Sequence, residues 1–336
     1  MTPQPTERTV LVTGGAGFIG SHLVEQLVLR GDRVVVIDDL STGRAMNLDG
    51  VDKSRLTLVR ASVSDVLPRF EPGRFDEIYH LAAAVGVRLV IERPIHTIET
   101  NIAETSAVLK FAAASCTPTL IASTSEVYGK SLKSPFSEDD DVVYGATTLH
   151  RWSYACSKAI DEYLALAHHR EHELPVVIAR FFNTVGPRQV GHYGMVLPRF
   201  VAAAMENKPI EVHGDGRQTR CFCDVRDVVD ALPRMLASDQ CRGRVFNIGN
   251  DQPISIADLA NLVCETLSST SPIVHVPYDE AFGAGFDDLR TRQPDLTRIR
   301  DAIGFQPRIQ LVQTIRDLAD ALQGSLSRAR TVESSR

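Results

Sequence analysis

The stretch that most constrains this chain is Thr13-Gly14-Gly15-Ala16-Gly17-Phe18-Ile19-Gly20. It lies between a β-branched run, Thr9-Val10-Leu11-Val12, and a helical pattern from Ser21 to Arg30 that Gly31 closes. Gly14, Gly17 and Gly20 have G-x-x-G-x-x-G spacing. Glycines there permit a tight strand-to-helix turn and a close backbone approach to a pyrophosphate. The helix that follows offers unpaired N–H groups and the positive end of its dipole. A glycine-rich loop by itself is a weak signal; a strand before it and a helix after it make it a dinucleotide site. Gly14, Gly17, Phe18, Ile19 and Gly20 are the expected contacts. Asp38 ends the next apolar run, Arg33 to Ile37, 18 residues beyond Gly20. A carboxylate there accepts hydrogen bonds from the adenosine ribose and repels a 2′-phosphate, which favours NAD over NADP. Asp39 is the competing acid, and Arg44 is the nearby residue that argues for NADP.

The same rhythm continues along the chain. Leu56 to Arg60, Glu77 to Leu81, Thr119 to Ser123 and Val176 to Arg180 read as strands, with long helices over Ile98–Ala114 and Trp152–Arg170. Continuous apolar strands separated by helices predict an α/β fold, a Rossmann-type doubly wound parallel sheet covered on both faces. After Phe181 short helices, Pro/Gly turns and isolated strands take over, and Val245 to Ile248 again reads as a strand. The expected organisation is a cofactor domain over residues 8–180 plus about 224–252. A smaller, discontinuous α/β substrate lobe takes 181–223 plus about 253–323, with flexible tails at 1–7 and 325–336.

A length of 336 residues accommodates both parts. The net charge of -6 leaves no basic surplus for a phosphate backbone and argues against nucleic acid. No apolar run is long enough to span a membrane, and Met1 to Arg8 is polar, without the apolar core of a secretory signal. Of the six cysteines only Cys221 and Cys223 are close, and no second pair or nearby histidine completes a zinc set. Reduced thiols, a cytoplasmic setting and no bound metal are the expectation.

Tyr154-Ala155-Cys156-Ser157-Lys158 places a tyrosine and a lysine at i and i+4, on one face of a predicted helix. A nearby ammonium stabilises a phenolate, so Lys158 is expected to lower the Tyr154 pKa and make it a base for a sugar hydroxyl. Ser123-Thr124-Ser125-Glu126-Val127-Tyr128-Gly129 ends the preceding strand, at the edge of the nicotinamide crevice. Thr124 or Ser125 is expected to hydrogen-bond the reacting oxygen. Glu126 is expected to have a raised pKa in a dry crevice and to move protons.

Together TGGAGFIG, STSEVYG, YACSK, RFFNTVGPR (Arg180 to Arg188) and GDGRQTRCF (Gly214 to Phe222) resemble the extended short-chain dehydrogenase/reductases, from about Thr9 to Leu322. Within them, Thr124-Ser125-Glu126, the Arg151-Trp152 pair before Tyr154, and Arg220 are most similar to UDP-glucuronic acid decarboxylases. One departure is Ser62-Val63-Ser64 where relatives place an aspartate near the adenine, with Asp65 displaced. The resemblance implies Arg220 at the sugar carboxylate, Asn183 at the diphosphate or sugar, and Arg292 reaching the phosphates. Arg180, Arg188 and Arg217 also fall in motif regions, and a group of guanidiniums suits a diphosphate and a carboxylate.

The implied reaction starts with Tyr154 taking the C4 hydroxyl proton as hydride passes to NAD. The ketone so formed is β to the C5 carboxylate, which then leaves as CO2, with Glu126 and Arg220 assisting at C5. The product is UDP-xylose or, with release before hydride return, UDP-4-keto-pentose. A UDP-sugar 4-epimerase, a 4,6-dehydratase and a non-catalytic NAD-sensing protein are the other readings. The epimerase needs the same cofactor and Tyr/Lys pair, and Glu126 counts against it; the dehydratase wants an acid/base pair where Ser125 replaces the expected aspartate; loss of Tyr154 or Lys158 would mark the last. The resemblance also implies a homodimer built on the two long helices.

Overall fold

The computed structural model describes residues 7–84, 92–148, 152–189, 195–278, 280 and 289–333, with side chains as far as Gly324. Seven strands form the main sheet: β1 (Thr9–Thr13), β2 (Arg33–Ile37), β3 (Leu56–Val59), β4 (Glu77–His80), β5 (Thr119–Thr124), β6 (Val176–Phe181) and β11 (Arg244–Ile248). The spatial order is β3-β2-β1-β4-β5-β6-β11, and every pairing is parallel. Sequences such as TVLVT and RVVVI suit it because both faces are covered and β-branched side chains pack well on a pleat.

Helices α1 (Phe18–Leu29) and α5 (Val225–Ala237), with the short α7 (Thr297–Ile303) in the same apolar cluster, cover one face, over Val10, Val12, Val34 and Val36. Helices α2 (Pro94–Ala113) and α3 (Ser153–His172) cover the other, over Leu11, Ile78, Ile121 and Ile178. Two boundaries differ from expectation for local reasons. Helix α1 begins at Phe18 instead of Ser21 because Gly17, extended at φ -74, is already its N-cap. Helix α2 begins at Pro94, since a proline at the first position has φ preset and no N–H to leave unpaired.

A third apolar cluster lies outside the sheet. Helices α4 (Val196–Met205), α6 (Ile256–Leu267) and α8 (Leu311–Glu333) bring Leu197, Phe200, Leu259 and Ile315 together. Three small sheets border it: β8 (Ile210–His213) with β13 (Ile273–Val276); β9 (Thr219–Cys221) with β12 (Pro253–Ser255) and β14 (Thr291–Arg292); and β7 (Thr184–Val185) with β10 (Cys223–Asp224).

Two expectations about the ends change. Glu7 is held by Arg33 at 2.7 Å and Arg55 at 2.8 Å, so the ordered chain starts before residue 8. Helix α8 runs on to Glu333, into the segment expected as a flexible tail, because no proline or turn signal interrupts its Leu, Ala, Gln and Arg residues. All six cysteines are free, and Phe222 separates Cys221 and Cys223 into two strands. No helix among the described residues is long and apolar enough to cross a membrane.

One buried ion pair ties the site's supporting elements together. Arg180 on β6 grips Glu162 on α3 with two bonds, 2.9 Å from Nε and 2.7 Å from a terminal nitrogen, and both side chains are 7% exposed. Ser123 on β5 donates to the same carboxylate. Breaking such a pair strands a charge in low dielectric. Glu162→Ala is expected to cost about 3–5 kcal/mol, seen as a lower urea midpoint with an unchanged slope.

Candidate active site

The reversal of strand order falls between β1 and β4, and the loop after β1 opens there. Gly14 has φ +69, and a Cβ on it would lie 2.7 Å from the backbone nitrogen of Ala82. Its N–H donates to the Ile37 carbonyl at 2.9 Å, and the Gly17 N–H donates to the Gly14 carbonyl at 3.1 Å. The α1 N-terminus has no side-chain cap and no acidic residue in its first turn. Its first N–H groups, at Phe18, Ile19 and Gly20, therefore point to whatever occupies the cradle.

Asp38 is buried beside this loop. One carboxylate oxygen accepts from the Ala16 N–H and the other from the Leu40 N–H, both at 2.9 Å. Burial raises its pKa, while those two bonds oppose the rise. Each oxygen keeps a second lone pair for a ribose hydroxyl. The competitor Asp39 is exposed and accepts from the Ser41 N–H at 2.8 Å. Arg44 is exposed and absent from the cavity wall. Glycine cradle, open helix N-terminus and paired carboxylate fit a dinucleotide without a 2′-phosphate. Ser62 and Val63 line the far wall, and Asp65 does not.

The cradle continues into one cavity of about 560 Å³. Gly14, Gly17, Phe18, Ile19, Gly20, Asp38, Thr124, Ser125, Glu126, Tyr154, Lys158, Asn183, Arg188 and Arg292 all line it. Strand β5 delivers Thr124 at its C-terminal end, and a 3₁₀ turn over Ser125–Tyr128 presents Ser125 and Glu126. The Thr124 hydroxyl accepts from the Glu126 N–H at 3.2 Å and shares a hydrogen bond with the Tyr154 phenol. Helix α3 supplies Tyr154 and Lys158.

The electrostatics differ from expectation. Burial pushes the Tyr154 phenol well above its ordinary pKa, with Glu126 and Asp161 adding to the rise and only the Thr124 hydrogen bond opposing it. Lys158 Nζ donates to Asp161 Oδ2 at 2.7 Å, so its charge is shared with a carboxylate. Glu126 forms an ion pair with Arg292, the two side chains being 17% and 8% exposed. That partner was not legible in the sequence.

Several arginines are placed otherwise than expected. Arg220 is opposite Arg292 in the β9–β14 register, yet its guanidinium turns to the carbonyls of Thr219 and Leu289, at 2.8 and 2.9 Å, and it does not line the cavity. Register partners share a face of their sheet, but of these two guanidiniums only that of Arg292 reaches the cavity. Arg217 is exposed on a turn and also outside the lining. Arg188 lies over α1, on Ser21 and Glu25, at the cofactor end. Arg180 is consumed by Glu162. Asn183 stays at the wall with its amide on the Cys221 carbonyl at 3.0 Å. Trp152 is buried, and Arg151 lies outside the described residues.

Three buried residues join the site that sequence reasoning passed over. Asp161 is the first; its position three residues after Lys158, on the same helix face, was the available signal. His80 lies between the hydroxyls of Thr13 and Thr105 at 2.8 and 3.1 Å, and burial lowers its pKa to about 3, with Lys158 adding to the effect. Asn101 on α2 accepts from the Ala84 N–H at 2.8 Å and donates to Ser157 at 3.1 Å.

The sequence over residues 11–318 matches the model of the GDP-mannose 4,6-dehydratase family. The chain belongs to that family, within the extended short-chain dehydrogenase/reductases. It is 39% identical over 313 residues to a UDP-N-acetyl-alpha-D-glucosaminuronate decarboxylase of Bacillus cytotoxicus, covering 93% of this chain and 96% of that one. It is 36% identical over 307 residues to UDP-glucuronic acid decarboxylase 4 of Arabidopsis thaliana, covering 90% and 66%. Among solved structures, a UDP-glucose 4-epimerase of Thermotoga maritima with UDP-glucose superposes with TM-score 0.85 at 26% identity, over 95% of this chain and 99% of that one.

The cradle makes a direct prediction. Gly14→Ala forces a side chain into positive φ and against Ala82, so the loop must shift. NAD titrated calorimetrically is expected to bind at least tenfold more weakly, with the thermal transition shifted by only a few degrees.

Proposed function

We propose that the protein is an NAD-dependent decarboxylase of UDP-linked uronic acids. It acts on UDP-glucuronic acid through a 4-keto intermediate and yields UDP-xylose, UDP-4-keto-pentose or both. The observation that carries this reading is the cluster of Tyr154–Thr124 and Glu126–Arg292 in one cavity that continues into the glycine cradle. The decarboxylases among its relatives support the same choice.

When bound, NAD supplies the hydride acceptor. Tyr154 takes the proton of the C4 hydroxyl, and the Thr124 hydroxyl steadies the C4 oxygen; Ser125, 3% exposed beside it, packs the turn. Lys158, paired with Asp161, lies on the same face of α3 as the phenol and lines the cavity. The guanidinium of Arg292, here on Glu126, is the one at the catalytic end able to meet the C5 carboxylate. The role expected of Arg220 therefore passes to Arg292. The C5–carboxylate bond breaks with its electron pair delocalised onto the C4 oxygen, and CO2 leaves. Glu126, released from its pair, is placed to manage the proton returned to C5. Asn183 holds the sugar-diphosphate side, and Arg188 the cofactor pyrophosphate side.

We further take the working form to be a cytoplasmic homodimer. Ile95 on α2 and Ile160 and Tyr163 on α3 are exposed apolar side chains on the two long helices, which supports pairing there. Six free thiols suit a reducing compartment.

Incubation with UDP-glucuronate and NAD tests the reading. The expected outcome is release of CO2 and a sugar nucleotide lighter by that mass. An unchanged mass with an inverted sugar would favour a 4-epimerase, and loss of water from a UDP- or dTDP-hexose would favour a dehydratase. In the same assay Arg292→Ala is expected to lower kcat/KM by roughly ten- to a hundredfold, the worth of a charge-assisted bond to the carboxylate, about 1.5–3 kcal/mol.

A further inference from the structure

We infer that Asp161 is a positioning residue that sets the working pH of Tyr154 by sharing the charge of Lys158. The inference deepens the reading of Tyr154 as the base and rests on it. Tyr154, Lys158 and Asp161 occupy i, i+4 and i+7 of α3 and so share one helix face. The lysine and aspartate side chains are 3% and 0% exposed and meet at 2.7 Å. Thr105 of α2 adds a hydrogen bond to the same carboxylate, and burial raises the aspartate's own pKa while Lys158 and Thr105 oppose the rise.

A bare ammonium near a phenol favours the phenolate, but one held against a carboxylate in low dielectric presents a dipole instead of a charge. Other groups face the same phenol. From the 3₁₀ turn comes Glu126, which also raises its pKa although it is paired with Arg292 of β14. From β4 comes His80, kept neutral by burial. Helix α2 presents the uncharged Asn101 and Thr105. On α3 itself, Glu162 is balanced by Arg180 of β6. Burial of Tyr154 raises its pKa, and the push from Asp161 runs in the same direction. An aspartate serving only to hold the helix would leave the phenol's titration unchanged when exchanged for a neutral acceptor.

Asp161→Asn keeps an acceptor for Lys158 and removes the charge; Asp161→Ala, a better helix former, serves should the first variant not fold. Two readouts are taken with NAD bound. One is the tyrosinate absorbance of Tyr154, obtained as the difference from Tyr154→Phe. The other is the acid limb of the kcat/KM profile. Both are expected to move down by about one pH unit, so below the limb the variant reaches about tenfold more of its plateau rate. A titration that stays in place, or moves up because Lys158 loses its proton instead, overturns the inference. The absorbance readout needs no substrate, so its failure is distinct from a parent enzyme that fails to decarboxylate UDP-glucuronate.

Discussion

The geometry of this protein follows from one constraint: the parallel sheet reverses its strand order between β1 and β4, and the backbone must turn there without side chains. Gly14 meets that demand with its positive φ and its closeness to Ala82. The turn delivers the α1 N-terminus to the mouth of the sheet. The parallel order puts the C-terminal ends of β1, β4 and β5 on one edge of the sheet, with Thr124 lining the cavity and His80 buried at the end of β4. Cofactor and reacting carbon are thus brought together by strand register, not by loops free to choose.

Charges in the crevice are held in pairs, and the pairs differ in kind. Arg180–Glu162 is bidentate, buried and also bonded to Ser123, so it acts as a tie between β5, β6 and α3. Glu126–Arg292 lines the cavity, where an incoming carboxylate competes for the guanidinium. Lys158–Asp161 is buried like the first, but its lysine faces the cavity like the second. Burial makes each pairing strong; exposure to the cavity decides which one chemistry can exchange.

The legible parts of the site were those that rest on short-range geometry. Gly14, Gly17, Gly20, Asp38 and the Tyr154–Lys158 spacing lie within single strand-turn-helix or helix units, where periodicity fixes direction. The arginines were not legible in the same way. Arg220 and Arg292 are brought opposite each other only by the pairing of distant segments β9 and β14, and their guanidiniums then part, Arg220 to the Thr219 and Leu289 carbonyls and Arg292 to Glu126. The expected low pKa of Tyr154 failed for a related reason. Spacing shows that Lys158 shares a helix face with the phenol, but not that burial, with Glu126 and Asp161 nearby, raises the phenol's pKa. In the fold, the strand pattern held while helix starts shifted to Phe18 and Pro94, where capping outweighed hydrophobic periodicity.

The central claim is that chemistry begins with oxidation at C4, beside Tyr154. UDP-glucuronate carrying deuterium at C4 tests it most directly. The account predicts a primary isotope effect on turnover and deuterium appearing on the nicotinamide, or returned to C4 of the UDP-xylose. Decarboxylation with no isotope effect and no deuterium passing through the cofactor would contradict it.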